Sequence, residues 1–296
     1  MLLIGLLSYR LPQSYLDLTA TYERGLVAKM ENLGRLFVQY DYAKSFATST
    51  IGAFSYYVGD RRVIDMLGLT EPAIAKNPEN IKDIISTWNE KHFNARYVLT
   101  QKPEVILFST ELKPSSPAER ALFLYSEFRR NYRLEFLFSN PQLSIFYRKF
   151  KDYSGVSGPD QPARFVNLLN EGLNFTKVDN GKAARMLYEA ISTGAKDCSA
   201  LYLMMGYVFS LAGFQDSSEV YFQRGLALDG GGPLGQWYYS VLLYNQKHHS
   251  EAIQRLSSMI QTHPTAEALA TDFLESRGVL RPIEKTAPDS QKEMEF

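Results

Sequence analysis

The feature that most constrains the fold of this chain is a 34-residue period in its second half. Residues of like size recur at this spacing in three successive segments: Gly172, Gly206 and Ser240; Phe175, Phe209 and Leu243; Ala184, Ser218 and Ala252; Tyr188, Phe222 and Leu256; and the turn residues Gly230 and Pro264. A period of this length predicts stacked helix–turn–helix units, in which small residues lie where two helices cross closely and large ones fill the space beside them.

The turns within these units are predicted at the runs VDNGK, LAGFQ and NQKHH. With these turns, the second half resembles the tetratricopeptide repeat family. Two positions depart from the family's pattern, since Glu171 stands where Leu is usual and Ser240 where Gly is usual. The resemblance implies an all-α solenoid of three repeats over residues 163–281, closed by a capping helix at residues 266–276.

Tetratricopeptide arrays bind partners on a concave face made by the first helix of each unit, so the resemblance implies a groove for a protein or peptide. The predicted groove residues are Leu173, Tyr207, Ser210, Trp237, Tyr244 and Asn245, with Leu169, Leu203 and Val241 on the same face. Tyr and Trp are frequent anchors of binding energy. The alternative is that Trp237 and Tyr244 pack against the cap or against the first half of the chain.

Composition excludes several other classes of function. The 296 residues carry 32 Lys and Arg against 32 Asp and Glu, so the formal net charge is zero and no nucleic-acid partner is predicted. Cys198 is the one cysteine, which rules out a disulfide within the chain. No CxxC or HExxH motif occurs, and the adjacent His248 and His249 fall in a predicted turn. We therefore predict neither a metal nor a cofactor.

The first half is predicted to be an α/β domain with a small mixed sheet. Helices are predicted at residues 16–42 and 78–93, and a further helix begins near Pro72 with Thr70 as its N-cap. Strands are predicted within residues 46–58, 61–65, 95–101 and 104–109, and a hairpin spans residues 132–150 around Ser139, Asn140 and Pro141.

The most unusual stretch of the first half is GAFSYYVGDRRVIDMLGLTEPAIAK, residues 52–76. Asp65 and Glu71 are two nearby carboxylates and could serve acid–base chemistry on a glycosidic bond. The alternative, which we favour, is that Asp65 bonds the backbone of its own turn while Gly68 supplies a positive φ. We assign no catalytic residue.

The same stretch offers candidate ligand contacts. Arg61 and Arg62 could bind a phosphate, although an adjacent pair of arginines is more often a solvated strand edge. Tyr56 and Tyr57 are predicted to alternate between the two faces of a strand, and the outward one could stack on a sugar. The candidate ligand-binding residues are therefore Tyr56, Tyr57, Arg61, Arg62 and Asp65.

Residues 1–150 resemble a known family through the order and spacing of these residues. The pattern is glycine, an aromatic pair, a strand that ends in aspartate and then Gly-Leu before a helix, here Gly52, Tyr56, Tyr57, Asp65, Gly68 and Leu69. It resembles the extracytoplasmic C-terminal domain of polytopic membrane glycosyltransferases that use polyprenyl-phosphate sugars, of the mannosyltransferase-like and arabinofuranosyltransferase-like kinds. The family places its catalytic acid and lipid-donor site in its membrane part, which has no counterpart here.

The apolar run from Met1 to Leu7 has two interpretations. Seven helical residues span about 10 Å, which is too short to cross a membrane core of about 30 Å. The run is either a short buried segment or the end of a membrane helix, with Tyr9 and Arg10 at the interface. The family resemblance favours the second interpretation, with membrane contact at residues 1–10.

These observations lead to one hypothesis about organisation and function. The predicted parts are the end of a membrane helix at 1–12, an α/β domain at 13–153, a linker at 154–162, the repeats and cap at 163–281 and a disordered tail at 282–296. We favour a non-catalytic accessory module on the extracytoplasmic face of the membrane, which binds a protein partner. A glycan and a membrane glycosyltransferase are its other candidate partners. The alternatives are the severed C-terminal part of such an enzyme, or a cytoplasmic repeat adaptor.

Overall fold

The fold is that of a computed structural model, which describes residues 13–84, 92–135, 146–263 and 266–279. The predicted membrane-helix end at residues 1–12, the turn at 139–141, Pro264 and the predicted tail lie outside these residues. The first half has an α/β fold with the elements α1 (Gln13–Gln39), β1 (Ser45–Thr48), α2 (Ile51–Tyr57), β2 (Arg62–Asp65), α3 (Pro72–Lys76), α4 (Ala95–Thr100), β3 (Val105–Leu107), α5 (Pro117–Leu122), α6 (Ser126–Asn131), β4 (Tyr132–Glu135) and β5 (Phe146–Lys149).

The five strands form one mixed sheet in the order β2-β1-β3-β5-β4. Strand β1 runs parallel to both β2 and β3, whereas β5 is antiparallel to β3 and to β4. The prediction of a small mixed sheet is confirmed. Because β1, β2 and β3 run in the same direction, the loops that follow them all leave the sheet at the same edge.

Alternating side chains of the sheet enter two apolar clusters, one on each face. Phe46, Val105 and Leu107 face α1 and α2, where they pack with Met30 and Phe37. The intervening residues, Ala47, Ile106 and Phe108, belong to the other cluster, which also holds the buried residues of α4 to α6. Strand β3 is buried on both faces, so none of its side chains reaches solvent, which explains its continuous apolar sequence.

The predicted strand within residues 46–58 is correct only at its beginning. Residues 51–57 are the helix α2, so Tyr56 and Tyr57 do not alternate on a strand. Phe54 anchors this helix, because its ring lies 5.2 Å from that of Phe46 and 6.0 Å from that of Phe37. A short run of aromatic and small residues fits either structure, and here burial on the sheet decides for the helix.

Two further predictions in this half are wrong where the structure describes them. The predicted strand at residues 95–101 is the helix α4, whose N-cap Asn94 accepts a hydrogen bond from the backbone N–H of Tyr97 at 2.7 Å. Asn is a frequent N-cap, so this signal was present in the sequence. The predicted helix at 78–93 is not helical over 78–84, and residues 85–91 lie outside the described residues.

The second half is helical. Three helix pairs are followed by a single helix: α7 (Ala163–Phe175) with α8 (Asn180–Thr193), α9 (Ser199–Leu211) with α10 (Gln215–Asp229), α11 (Pro233–Asn245) with α12 (His249–Thr262), and α13 (Glu267–Ser276). The predicted turns fall between the helices of each pair. Gly230 ends α10 in the left-handed conformation, with φ +71°, as its alignment predicted.

Close crossings occur at the predicted small residues. A Cβ added to Gly206 would lie 2.8 Å from the ring of Phe222, and Ser218 donates a hydrogen bond to the Gly206 carbonyl at 2.7 Å. In the first pair, the large residue predicted beside the crossing, Tyr188, is wrong by one position. Leu187 meets Gly172 there, and Tyr188 is 56% exposed, because a helical residue one position further on points about 100° away.

The two halves share one apolar core and a charge cluster around a buried arginine. Arg129 of α6 is 3% exposed and donates to Asp160 and to Asp197, each at 2.8 Å. Asp160 lies in the predicted linker at 154–162, where Gln161 also accepts from the Ala195 N–H at 2.7 Å. The segment is irregular, as predicted, but side chains on both sides hold it in place.

Candidate functional site

The turn after β2 is built by Asp65, which is 1% exposed. One carboxylate oxygen accepts from the Leu67 N–H at 3.0 Å, and the other accepts from the Thr70 N–H at 2.6 Å and the Thr70 hydroxyl at 3.3 Å. Gly68 has φ +73°. The structural interpretation of Asp65 is therefore confirmed, and both oxygens are engaged within the turn.

The sequence predicted Thr70 as the N-cap of α3, and this prediction is wrong. Glu71 holds that position and Pro72 is the first helical residue. The Glu71 carboxylate accepts a hydrogen bond from the Tyr97 hydroxyl at 3.2 Å. Asp65 and Glu71 thus have separate hydrogen-bond partners, an arrangement that does not favour the acid–base pair considered from the sequence.

The other candidate ligand residues divide into two places. Tyr56, Tyr57 and Arg61 line a shallow depression of about 490 Å³. Arg61 holds the chain there, because its guanidinium donates to the carbonyls of Ala43 and Val58 and to Asp41. Arg62 is outside this depression and donates to Gln101. The five residues therefore do not form one site.

The predicted groove divides in the same way. Leu173 and Tyr207 line a cavity of about 710 Å³. Trp237 and Tyr244 instead pack against the cap, since each ring lies 5.3 Å from that of Phe273 in α13. Ser210 and Asn245 do not line the cavity. The packing alternative is thus correct for Trp237 and Tyr244.

This cavity, which we call the cleft, lies between α1, the loop after β3 and the first helices of the helix pairs. Its apolar wall consists of Leu173, Met204, Tyr207 and Tyr238, and the Tyr207 and Tyr238 rings lie 4.9 Å apart. Its remaining lining residues are Gly25, Ala28, Lys29, Asn32, Thr110, Glu111, Leu112, Lys113, Thr176 and Lys177. An aromatic wall beside lysines can hold an apolar side chain and an acidic group together.

A second cavity of about 430 Å³ lies beside the cleft, at the edge where the three parallel strands end. The loops after β1, β2 and β3 all contribute to it. Its lining residues are Ser49 and Thr50 after β1, Leu67 after β2, Ser109, Thr110, Lys113, Ser115 and Ser116 after β3, Arg120 of α5, Tyr22 and Leu26 of α1, and Asn170 and Asn174 of α7. We call it the strand-end pocket.

Glu119 lies behind the strand-end pocket and holds its walls together. Its carboxylate accepts from the Ser49 hydroxyl and from the backbone N–H groups of Ser109 and Ser116, the latter two at 2.9 and 3.0 Å. Ser116 completes a capping box by accepting from the Glu119 N–H at 3.1 Å. Burial raises the pKa of Glu119, in opposition to these hydrogen bonds.

Two lysines at these cavities have lowered pKa values, chiefly because burial disfavours their charged forms. Glu111 and Glu119 act in the opposite direction on the pKa of Lys29, whose ammonium group donates to the Ser109 carbonyl at 3.3 Å. For Lys113, Glu119 raises the pKa and Arg120 lowers it further. Lys29 of α1 and Lys113 of the loop after β3 thus bring two partly buried amino groups to the cleft, and Lys113 also lines the second cavity.

The sequence interpretation missed the strand-end pocket. Its signals were hydroxyl residues after two apolar runs, Ser49-Thr50 and Ser109-Thr110, followed by Ser115-Ser116. Taken singly, each is an ordinary loop. Their meeting at one pocket depends on the parallel pairing of β1 with β3, which brings both loops to one edge, and ligands commonly bind at such an edge in α/β folds.

No group of three or more His, Cys, Asp or Glu suited to a metal occurs among residues 13–84, 92–135, 146–263 and 266–279. His248 and His249 are both exposed, and the His249 ring stacks on Tyr244 at 4.4 Å. Within the same described ranges, every helix is too short or too polar to span a bilayer.

Comparisons with known proteins give a family match for the first half of the chain. A family model described as a domain of unknown function, DUF8728, matches residues 18–156. A search of curated proteins finds no match. One similar solved structure, titled "Crystal structure of MamA", has 15% identity and a TM-score of 0.34, and the alignment covers 39% of this chain and 69% of that one. That similarity is too weak to identify the fold, and the family match covers residues 18–156, which include the whole sheet.

Proposed function

We propose that this chain is a protein-interaction module that binds an extended segment of a partner protein in the cleft. In this proposal the three helix pairs are tetratricopeptide repeats and their first helices supply the apolar wall. The observation that carries it is the 710 Å³ cavity, in which two residues predicted for the groove, Leu173 and Tyr207, lie beside Tyr238 and Met204.

The charges around the cleft favour an acidic partner segment. Lys29, Lys113 and Lys177 line it, against the single carboxylate of Glu111. An apolar or aromatic side chain would fill the space beside Tyr207, where truncation of an anchor typically has the largest effect on affinity. An acidic residue nearby would meet the lysines and form charge-assisted hydrogen bonds. The partner segment should therefore combine an apolar anchor with acidic residues.

Selection from a random peptide library displayed on phage tests this proposal. We expect the immobilised wild-type protein to enrich peptides with acidic and aromatic or long aliphatic residues. Tyr207→Ala should weaken the selected peptides at least about tenfold, as for an interface anchor. Tyr188→Ala is the matched control, since that side chain is exposed on a second helix away from the cleft.

A second variant keeps the test independent of the packing of Tyr207. Lys177 is exposed at the rim of the cleft, so Lys177→Glu should leave the fold intact while repelling acidic peptides. The proposal is wrong if no peptide is enriched over an unrelated immobilised protein, or if the enriched peptides bind both variants as tightly as the wild type.

For the setting of this module, we propose the extracytoplasmic face of a membrane, as an accessory of a glycosyltransferase system. The support is the sequence resemblance of residues 1–150. The purified chain should then transfer no sugar from a polyprenyl-phosphate donor, and measured transfer would favour the severed-enzyme alternative. A reporter that is active only outside the cytoplasm, fused to the chain in its native genomic context, separates both from a cytoplasmic adaptor.

A further inference from the structure

The strand-end pocket has the shape and position of a small-molecule site. Its volume of about 430 Å³ is within the usual range of ligand cavities, roughly 300–1,000 Å³. It lies outside the carboxyl ends of β1, β2 and β3. The chain crosses from β1 to β2 and then to β3 on the other side of β1, so the point where the strand order reverses falls between β1 and β3. This is where open α/β sheets bind their ligands.

The lining of the pocket selects for a negative charge. Lys113 and Arg120 are its two charged residues, and none of its lining residues is acidic. Arg120 is 4% exposed, and its guanidinium is fixed by hydrogen bonds to the carbonyls of Ser115 at 2.7 Å and Pro114 at 3.3 Å. Positive charge held in place at a cavity wall favours the binding of an oxyanion.

Glu119 does not cancel this preference. It lies behind the wall rather than in the lining, and its oxygens already accept from Ser49, Ser109 and Ser116. Burial raises its pKa, which favours the uncharged form. Glu111 lines the cleft but not the strand-end pocket. The repulsion that an incoming anion would meet from these two carboxyls is therefore reduced.

The other polar groups of the pocket suit a ligand with hydroxyl groups. Six serine and threonine side chains line it, Ser49, Thr50, Ser109, Thr110, Ser115 and Ser116, together with the amides of Asn170 and Asn174. Some of these hydroxyls also bond within the protein, since Ser49 donates to Glu119 and the Thr110 and Ser115 hydroxyls bond to each other. Hydroxyl and amide groups both donate and accept hydrogen bonds, as a polyol requires. Tyr22 and Leu26 of α1 form an outer wall against which a small ring could lie.

We propose that the strand-end pocket binds a small polyhydroxylated compound with an anionic head, a phosphate or a carboxylate, held by Lys113 and Arg120. The site is separate from the peptide cleft, with which it shares Thr110 and Lys113. The ammonium group of Lys113 donates to Asn174 Oδ1 at 2.9 Å and can turn to a ligand, because both side chains are partly or fully exposed.

Isothermal titration calorimetry at low ionic strength tests the proposal with four probes. Glucose 6-phosphate and gluconate carry the two possible heads on a polyol, inorganic phosphate carries a head alone, and glucose carries none. We expect at least one of the two anionic polyols to bind more tightly than inorganic phosphate, and glucose to bind weakest. Which polyol binds more tightly identifies the head.

Two substitutions locate the binding at the strand-end pocket. Lys113→Gln should weaken the preferred probe about tenfold or more, the loss expected for a hydrogen bond to a charged group. Asn174→Asp places a carboxylate beside Lys113 and should also lower the affinity for the preferred probe. Lys177→Gln is the matched control, because that lysine lines the cleft alone and should leave the affinity unchanged.

The proposal is overturned if none of the four probes binds, if glucose binds as tightly as both anionic polyols, or if Lys113→Gln and Asn174→Asp bind like the wild type. Tyr207→Ala separates this result from the proposed function. That variant should lose affinity for peptides and keep its affinity for the anionic polyol, because Tyr207 does not line the strand-end pocket.

Discussion

Two loops leave the same edge of the sheet and differ in whether their polar side chains also border a cavity. In the loop after β2, both oxygens of Asp65 accept hydrogen bonds from the same turn, and Gly68 closes it with φ +73°. In the loop after β3, Ser109, Thr110, Lys113 and Ser115 line a cavity. The first loop turns both carboxylate oxygens to its own backbone. The second also bonds some of its polar groups internally, since the Thr110 hydroxyl donates to the Lys113 carbonyl at 3.0 Å, but the same side chains line a cavity.

The comparison shows why unusual sequence and function need not coincide. The run around Asp65 is conspicuous because a tight turn tolerates few residue types, and its polar atoms are already satisfied. Serines and threonines after β3 are inconspicuous, since many residues could connect that strand to α5. The candidate site is where the polar groups border open space.

Removal of the Asp65 carboxylate should have the largest effect on stability. Asp65→Ala leaves the N–H groups of Leu67 and Thr70 without their partner, so we expect a loss of about 2–4 kcal/mol in the free energy of unfolding in urea. Asp65→Asn keeps one acceptor oxygen and should lose less. Asp60→Ala, in an exposed turn, is the control and should change the value by less than about 0.5 kcal/mol. An effect of Asp65→Ala no larger than that of the control would contradict the structural role.

Two glycines, one in the turn before β2 and one in the loop after it, separate the cost of backbone strain from that of packing. Gly59 and Gly68 have φ +66° and +73°, but a Cβ on Gly68 would lie 3.0 Å from the Ala75 nitrogen, whereas a Cβ on Gly59 would meet nothing within 4 Å. Gly59→Ala should cost about 1 kcal/mol from the positive φ alone, and Gly68→Ala about 2 kcal/mol. If both variants lost the same free energy of unfolding in urea, the close approach of Gly68 to Ala75 would add nothing to the cost of the substitution.

Glu119 should make the stability that it gives to the loop after β3 depend on pH. Its pKa is raised by burial, so the folded chain holds this proton more tightly than the unfolded chain does. The stability it contributes is present below the unfolded pKa, near 4.5, and is lost as pH rises through the higher folded pKa. The unfolding free energy of the wild type should therefore fall relative to that of Glu119→Gln as pH rises from 4.5 towards neutrality. Parallel pH profiles would exclude this assignment.

Long-period patterns were predictable from the sequence, and short ones were not. The period through Gly206 and Phe222 predicted a helix crossing that the structure shows, because close packing limits which sizes fit there. Helices α2 and α4 were predicted as strands, since six or seven residues do not reveal whether an apolar run packs as a helix or in a sheet. The prediction that Tyr188 packs in the helix crossing is wrong, because a shift of one residue along a helix turns the side chain away from the core.

The candidate site was less predictable than the fold because it depends on contacts between distant parts of the chain. Ser49 and Glu119 are 70 residues apart and are joined by a hydrogen bond across the edge of the sheet. The sequence predicted only some of the residues that line the cleft. Tyr207 lies in the cleft as expected, but Trp237 turned to Phe273 in the cap, and the sequence alone could not choose between those two faces.

The smallest expected change in stability is also the sharpest test of the comparison. Lys113→Gln should alter the unfolding free energy by no more than about 0.5 kcal/mol, because it removes a partly exposed hydrogen bond to Asn174 and leaves Glu119 and its partners in place. A ligand at ten times its dissociation constant stabilises the folded state by about 1.4 kcal/mol, and Lys113→Gln should lose most of this gain at the same concentration. Asp65→Ala should show the reverse, with low stability and the full gain from the preferred anionic polyol. If both variants lost the gain equally, the loops would act as one unit, and their assignment to separate roles would be wrong.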